Sequence, residues 1–104
     1  MYLSVYITCA NKEEAGKIAE ILVTEKLAAC VNYFPVNSVY IWKGKLEKDS
    51  EYALLCKTRK ENFNKIKKRV SEIHSYEVPA ILAFEIVDGN EEFLKWIDDS
   101  VGIK

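Results

Sequence analysis

The side chains best suited to bind a metal ion or exchange a proton lie together in one short segment. His74 is the only histidine of the chain, and it directly precedes the run Ser75-Tyr76-Glu77-Val78-Pro79. An imidazole binds metals and titrates near neutral pH, and the Glu77 carboxylate can accept a hydrogen bond from it or coordinate a cation. The simpler alternative is that His74 ends a helix, where its charged form is favoured by the dipole, and that Glu77 pairs with a lysine.

The three cysteines, Cys9, Cys30 and Cys56, are odd in number and form no CxxC pair. Cys30 and Cys56 lie in apolar runs, so we expect buried, inert thiols there. Copper(I) prefers thiolate and imidazole ligands, and copper(II) accepts nitrogen and oxygen. No segment holds such a set, so a copper site must bring His74, Cys30 or Glu77 together across the fold or between chains. No cysteine stands near His74 in sequence, and we therefore expect a protein that is not an enzyme.

A second polar group, Lys57-Thr58-Arg59, follows an apolar run at the predicted end of a strand. A lysine beside a hydroxyl is a reasonable pair for binding a small anion. The alternative is an ordinary solvated strand end. The sequence contains neither a Walker motif nor the pattern Gly-x-Gly-x-x-Gly.

The length, composition and net charge of the chain indicate which class of protein it belongs to. The 104 residues, 49% of them hydrophobic and 30% charged, predict one globular domain spanning residues 1–104. A net charge of −1 predicts no nucleic-acid partner, and the chain has no apolar run of the roughly 20 residues that membrane insertion needs. The start of the sequence lacks the basic stretch of a signal peptide, so we expect a cytoplasmic protein. The absence of glutamine favours a thermostable, heat-adapted source.

The hydrophobic periodicity predicts an α+β domain. Asn11 and Glu14 form a capping pattern at the start of the first helix. The predicted elements are a strand at 2–9, a helix from 11 to about 27, an extended segment at 30–42 interrupted at 34–37, a turn at 43–45, a strand at 46–58, a helix at 61–74, a strand at 80–86 and a helix at 91–99. Without the turn, the first six elements match the ferredoxin-like βαββαβ fold, with a long hairpin between the second and third strands and an extra C-terminal helix.

This fold predicts that one chain leaves apolar surface uncovered. Helices cover one face of a ferredoxin-like sheet, and the apolar strands 53–56 and 80–86 need cover on both faces. The hairpin also carries Tyr40, Trp42 and Tyr52 towards solvent. We expect a second copy of the chain to cover this surface.

Several segments together resemble the CutA family of divalent-cation tolerance proteins. They lie in the family's order along essentially the whole chain, and they are EKLAACVN at 25–32, SVYIWKGKL at 38–46, Lys57-Thr58, HSYEVP at 74–79 with Ala80-Ile81, and FLKWI at 93–97. The resemblance implies a ferredoxin-like subunit in a tight homotrimer, linked to tolerance of copper and other divalent metals. The family's architecture is also similar to that of the PII signalling trimers.

The resemblance also implies where a ligand binds. It places His74, Tyr76 and Glu77 in a cleft between subunits, facing Lys57 and Thr58. Copper binding in some members is tied to a cysteine near the end of the first strand and to histidines before Tyr-x-x-Pro. His74 matches the second feature, whereas Ile73 stands where another histidine can precede it, and Cys9 lies near the first.

From this resemblance we expect a copper or other divalent-cation protein whose metal is not obligatory, with His74, Glu77 and Cys30 as candidate metal ligands. The alternative is a PII-like trimeric sensor or scaffold that binds a small anion through Lys57, Thr58 and Tyr76. In that case its metal binding would be weak and incidental.

Overall fold

The computed structural model describes residues 1–103 and confirms the α+β architecture. Its elements are β1 (Tyr2–Cys9), α1 (Lys12–Thr24), β2 (Cys30–Trp42), β3 (Lys45–Arg59), α2 (Phe63–Ile73), β4 (Ile81–Ile86) and α3 (Glu91–Ser100), with a short 3-10 turn (Lys60–Asn62) before α2. None of the helices described is long and apolar enough to cross a membrane.

The four strands form one antiparallel sheet in the order β2-β3-β1-β4. Val5 in the middle of β1 lies opposite Cys56 of β3 and Ala83 of β4. This strand order, with the two helices between the strands, is the predicted ferredoxin-like βαββαβ arrangement, and α3 is the predicted C-terminal helix.

Helix α1 begins as predicted and ends earlier. The side-chain oxygen of Asn11 accepts a hydrogen bond from Glu14 N at 2.9 Å, and Glu14 Oε1 accepts one from Ala10 N at 3.0 Å. The return bond of the capping box thus reaches one residue beyond the cap. The helix ends at Thr24, because Lys26 has a φ of 59°, which a right-handed helix cannot contain.

Strand β2 runs through the predicted interruption without a break. Pro35 lies within the strand, opposite Tyr52 of β3. Because β2 is at the edge of the sheet, one of its sides has no strand partner, and a residue without an N–H is tolerated there. At the far end, Lys43 and Gly44 have φ values of 51° and 79°, as a two-residue type I′ hairpin turn requires.

The side chains of β1 alternate between two differently covered faces. One face packs against α1 and α2 in the main core, which includes Leu3, Val5, Ile7, Cys9, Ile18, Leu22, Leu54, Ile66 and Val70. The other face is covered at one end by α3, where Tyr2 and Leu94 pack in the cluster that contains Ile97. At the opposite end, Tyr76 reaches Glu51 on the same face. We call the uncovered remainder, which carries Tyr6, Leu55, Leu82 and Phe84, the open face.

The open face and the far end of the hairpin both expose large apolar side chains. Leu82 and Phe84 are 52% and 54% exposed, and the rings of Phe84 and Tyr6 meet edge to face at 6.5 Å. On the hairpin, Trp42 is 54% exposed and Tyr40 is also exposed. The predicted uncovered apolar surface is therefore present in the single chain. The prediction was wrong for Tyr52, which lies opposite Cys9 and packs against the main core.

Candidate functional site

Helix α2 ends at Ile73, so His74 is the first residue after it. The sequence analysis predicted a helix that includes His74. Its side chain is fully buried. Nε2 lies 2.7 Å from the carbonyl oxygen of Thr8, and Nδ1 accepts a hydrogen bond from Tyr76 N at 2.9 Å. Since a carbonyl can only accept and an amide N–H can only donate, the proton is assigned to Nε2 of a neutral ring. Both ring nitrogens are thereby engaged, and neither has a free lone pair for a metal.

The carboxylate of Glu14 holds the segment after His74 against the start of α1. Oε2 accepts a hydrogen bond from Ser75 N at 2.7 Å, and Oε1 accepts bonds from the Ser75 hydroxyl at 2.9 Å and from Ala10 N at 3.0 Å. Burial of this carboxyl acts to raise its pKa, but the bonds from Ala10 and Ser75 outweigh it. The pKa of Glu14 is consequently lowered from its usual value.

Tyr76 points towards the hairpin, where its hydroxyl donates to Glu51 Oε1 at 2.7 Å. Glu51 is only 9% exposed. Burial, and then the bond to the Glu51 carboxylate, raise the pKa of Tyr76 far above its usual value. The sequence analysis missed Glu51. The available signal was the alternation of Glu47, Asp49 and Glu51, which puts three carboxylates on one face of β3.

A cavity of about 640 Å³ lies between the base of the hairpin and the segment after His74. This volume is within the usual range for a small-molecule site, roughly 300–1,000 Å³. Its polar lining includes Thr8, Ser38, Glu51, Tyr76 and Glu77, and its apolar and aromatic lining includes Val39, Tyr40, Trp42, Val78 and Ala80. Two of the predicted site residues, the consecutive Tyr76 and Glu77, thus line this cavity.

Lys57 and Thr58 lie near the other end of the sheet. They stand opposite Ser4 and Leu3 of β1, whereas the cavity includes Thr8, roughly 13 Å further along that strand. The buried Thr58 hydroxyl donates to Leu27 O at 2.6 Å, and the Lys57 ammonium donates to the side-chain oxygen of Asn32. One chain therefore does not unite the two halves of the predicted cleft, and a second chain would have to supply one of them.

The candidate metal ligands are also dispersed within the chain. Cys30 lies opposite Lys57, and Glu77 lines the cavity. Among residues 1–103, no three metal-binding side chains of the His, Cys, Asp or Glu type stand together. The set His74, Glu77 and Cys30 stays a prediction, which one chain does not test.

The two fully buried thiols are held in their protonated form. Burial, reinforced by the charge of Glu14, raises the pKa of Cys9 to about 11, and its thiol donates to Asn11 O at 3.6 Å. Burial raises the pKa of Cys56 to about 12. Cys30 is only partly buried, so the expectation of a buried thiol is confirmed for Cys56 and is wrong for Cys30 in the single chain. Neither Cys9 nor Cys56 has the thiolate character that a nucleophile or a soft-metal ligand requires.

Comparison with known proteins identifies the family. The model of the family described as CutA1 divalent ion tolerance protein matches residues 3–100. The chain belongs to this family. The resemblance that the sequence carried at 25–32, 38–46 and 74–79 is confirmed, and so is the coarse assignment to divalent-cation tolerance proteins.

Two similar relatives show how far the match extends. The Divalent-cation tolerance protein CutA of Archaeoglobus fulgidus is 46% identical, and the match covers 97% of this chain and 99% of that protein. The protein of the same name from Thermus thermophilus is 46% identical over 94% of this chain and 96% of its own length. Both family members are matched almost from end to end.

Solved structures agree with the fold. The structure of the periplasmic divalent cation tolerance protein CutA from Archaeoglobus fulgidus superposes with a TM-score of 0.96, covering 97% of this chain and 99% of that chain at 46% identity. The divalent cation tolerance protein Cut A1 from Thermus thermophilus gives 0.93, covering 96% and 98% at 44% identity. The family therefore shares this hairpin-bearing ferredoxin-like subunit.

Proposed function

We propose that this protein acts in divalent-cation tolerance as a homotrimer. The observation that carries the assembly is the apolar open face, whose Leu82 and Phe84 one chain leaves more than half exposed. A monomer seldom exposes such a contiguous surface, whereas an obligate interface buries it. The function in divalent-cation tolerance rests on membership of the family and on the names of its relatives.

The sheet has two edges that a ring of identical chains can satisfy. Strand β2 forms one edge and β4 the other, so each has backbone groups without a strand partner. The chain is elongated, with principal extents of 47 × 26 × 21 Å, so its hairpin reaches past its own core. Contact between the hairpin edge of one copy and β4 of the next is heterologous, and three such contacts close a ring.

Sedimentation equilibrium tests the assembly. We expect a species of three times the 12.0 kDa mass of one chain at micromolar concentration. Phe84→Asp places a charge on the open face and should yield monomers. The control is Val23→Asp, which places the same charge on an exposed apolar residue of helix α1. This variant should leave the assembly intact. A wild-type monomer at micromolar concentration would contradict the proposal.

Growth assays test the link to metals. In a metal-sensitive host that lacks its own family member, the wild-type chain should restore growth on copper or zinc, as should Val23→Asp. Phe84→Asp should fail to do so, because the function depends on the assembled form. Equal rescue by both variants would separate metal tolerance from assembly, and no rescue by the wild type would contradict the role in tolerance.

Whether the protein itself binds copper is a separate question. The hydrogen bonds of His74 define what a metal ion at this residue would have to displace. A metal at His74 would have to displace Thr8 O from Nε2 or Tyr76 N from Nδ1. Calorimetric titration with copper and zinc tests the candidate ligands. Sub-micromolar binding that is lost in both Cys30→Ser and Glu77→Gln would support the predicted site, whereas binding unchanged in both would contradict it.

A small-ligand sensor is the second candidate function, and the cavity at the hairpin base favours it. The cavity has the volume and mixed lining of a ligand site and needs no bound metal. Neither function that we propose includes catalysis, since the described residues that line the cavity include no cysteine and no histidine.

We also propose a cytoplasmic location, since the three cysteines are free thiols and a reducing compartment preserves them. Cell fractionation tests this location. Recovery of the protein in the periplasmic fraction would contradict it.

A further inference from the structure

We propose that the cavity at the hairpin base binds an organic cation: an ammonium group that carries a small apolar body. This inference rests on the second candidate function and names the class of its ligand. It follows from three features of the cavity, namely a buried carboxylate, aromatic walls and a surplus of negative charge.

The buried carboxylate is that of Glu51. Tyr76 donates to Oε1, and no other donor among residues 1–103 bonds the carboxylate. Oε2 is not among the fully buried atoms that lack a partner, so it stays accessible from the cavity. A carboxylate has about four lone-pair sites, so most of the capacity of Glu51 is unused. Burial of a charge costs free energy unless an opposite charge or hydrogen bonds compensate it. An ammonium ion in the cavity supplies both.

The aromatic walls come from alternate positions on β2. Tyr40 and Trp42 project from the same face of the strand, and the Tyr40 hydroxyl is fixed by a hydrogen bond to Asp49. The faces of such rings attract cations, most strongly those of tryptophan. Trp42 already has the Lys43 ammonium 6.0 Å from its ring centroid, at the outer limit of such a contact.

The charge around the cavity selects against anions. Glu47, Asp49 and Glu51 lie at alternate positions on the face of β3 that neighbours Tyr40 and Trp42, and Glu77 adds a carboxylate from the opposite wall. Lys45, opposite Trp42, is the basic residue of that row and lies at the hairpin tip.

The same lining does not suit a bare metal ion. Hard divalent cations take six or more oxygen ligands, whereas no three metal-binding side chains stand together among residues 1–103. The apolar wall made by Val39, Val78 and Ala80 would contact the carbon skeleton of an organic ligand. Carboxylate, aromatic ring and apolar wall together fit an amine better than a metal.

Three probes of one shape and different charge test this inference: benzylammonium, benzyl alcohol and benzoate. Binding to the full-length protein is followed by tryptophan fluorescence in a Trp96→Phe background, which leaves Trp42 as the reporter. We expect saturable binding of benzylammonium, with the alcohol at least about tenfold weaker and benzoate weaker still. Equal binding of benzylammonium and benzyl alcohol, or no saturable binding of any probe, would overturn the inference.

Two variants locate the site. Glu51→Gln keeps an oxygen acceptor for Tyr76 but removes the charge, and it should weaken benzylammonium binding at least about tenfold. Trp42→Leu, read by changes in NMR chemical shift, should weaken binding as well and keeps the test valid if Glu51→Gln does not fold. Glu92→Gln on α3 is the matched acidic control and should bind as the wild type does. Wild-type affinity in Glu51→Gln would contradict the assigned site.

Sedimentation of each sample separates this inference from the proposed assembly. A trimer that binds no probe contradicts the organic-cation site and leaves the trimer standing. A monomer that binds benzylammonium contradicts the trimer and supports the site.

Discussion

The contact between Glu14 and Ser75 leads to a quantitative prediction. The Glu14 carboxylate accepts three hydrogen bonds, from Ala10 N, Ser75 N and the Ser75 hydroxyl, and its side chain is only 13% exposed. In Glu14→Gln, one carboxylate oxygen becomes an NH₂ group, which faces a hydrogen-bond donor and cannot accept a bond from it. Hydrogen bonds to a charged group contribute roughly 1.5–3 kcal/mol each, so the variant should lose about 2–3 kcal/mol of unfolding free energy.

The pH dependence of that loss has a definite sign. The pKa of Glu14 is lowered by folding, so its contribution is fully present above its usual value of 4.5 and disappears as the pH falls through the lower folded value. Urea unfolding at a fixed protein concentration should therefore show a gap between wild type and Glu14→Gln at pH 7 that narrows in acid. Glu13→Gln, an exposed change in the same helical turn, is the control and should cost little. A loss below about 0.5 kcal/mol, or a gap that does not change with pH, would refute the reasoning.

Two further predictions concern the buried groups near β3. Thr58→Val should destabilise the fold by about 1–3 kcal/mol, because it leaves Leu27 O without its buried donor, and Thr58→Ser should recover most of that loss in the same urea assay. Alkylation at pH 8 followed by mass spectrometry should modify Cys30 first and Cys9 and Cys56 only on unfolding, since the latter two are buried with raised pKa values. Early modification of Cys56 in folded protein would contradict the burial argument.

Local sequence signals were sufficient to predict the elements and their order. The alternation of residues 2–9, the Asn11 cap and the Lys43-Gly44 turn each act over a few residues, and the structure contains all three features. Two details were predicted wrongly, namely the end of α1 and the interruption of β2. The end of α1 depends on the positive φ of Lys26, and the continuity of β2 through Pro35 depends on its position at the sheet edge, which is a property of the whole sheet.

The candidate site was harder to predict because it depends on contacts between distant residues. His74 looked like a ligand because it is the only histidine, yet its Nε2 bonds a carbonyl 66 positions earlier in the chain. Glu51 is one of several acidic residues in the hairpin, and only its hydrogen bond from Tyr76, 25 residues later in the chain, distinguishes it. The spacing of residues along the sequence predicts neither contact.

These contacts change how a histidine substitution has to be interpreted. His74 Nδ1 holds the backbone N–H of Tyr76, and the Tyr76 hydroxyl in turn holds Glu51 in the cavity. Replacing His74 should therefore disturb any ligand bound at Glu51, even though the imidazole never touches that ligand. Loss of binding in His74→Ala alone is thus no proof of metal coordination. Electron paramagnetic resonance of bound copper resolves the ambiguity, because an imidazole ligand gives nitrogen hyperfine coupling and a carboxylate ligand does not.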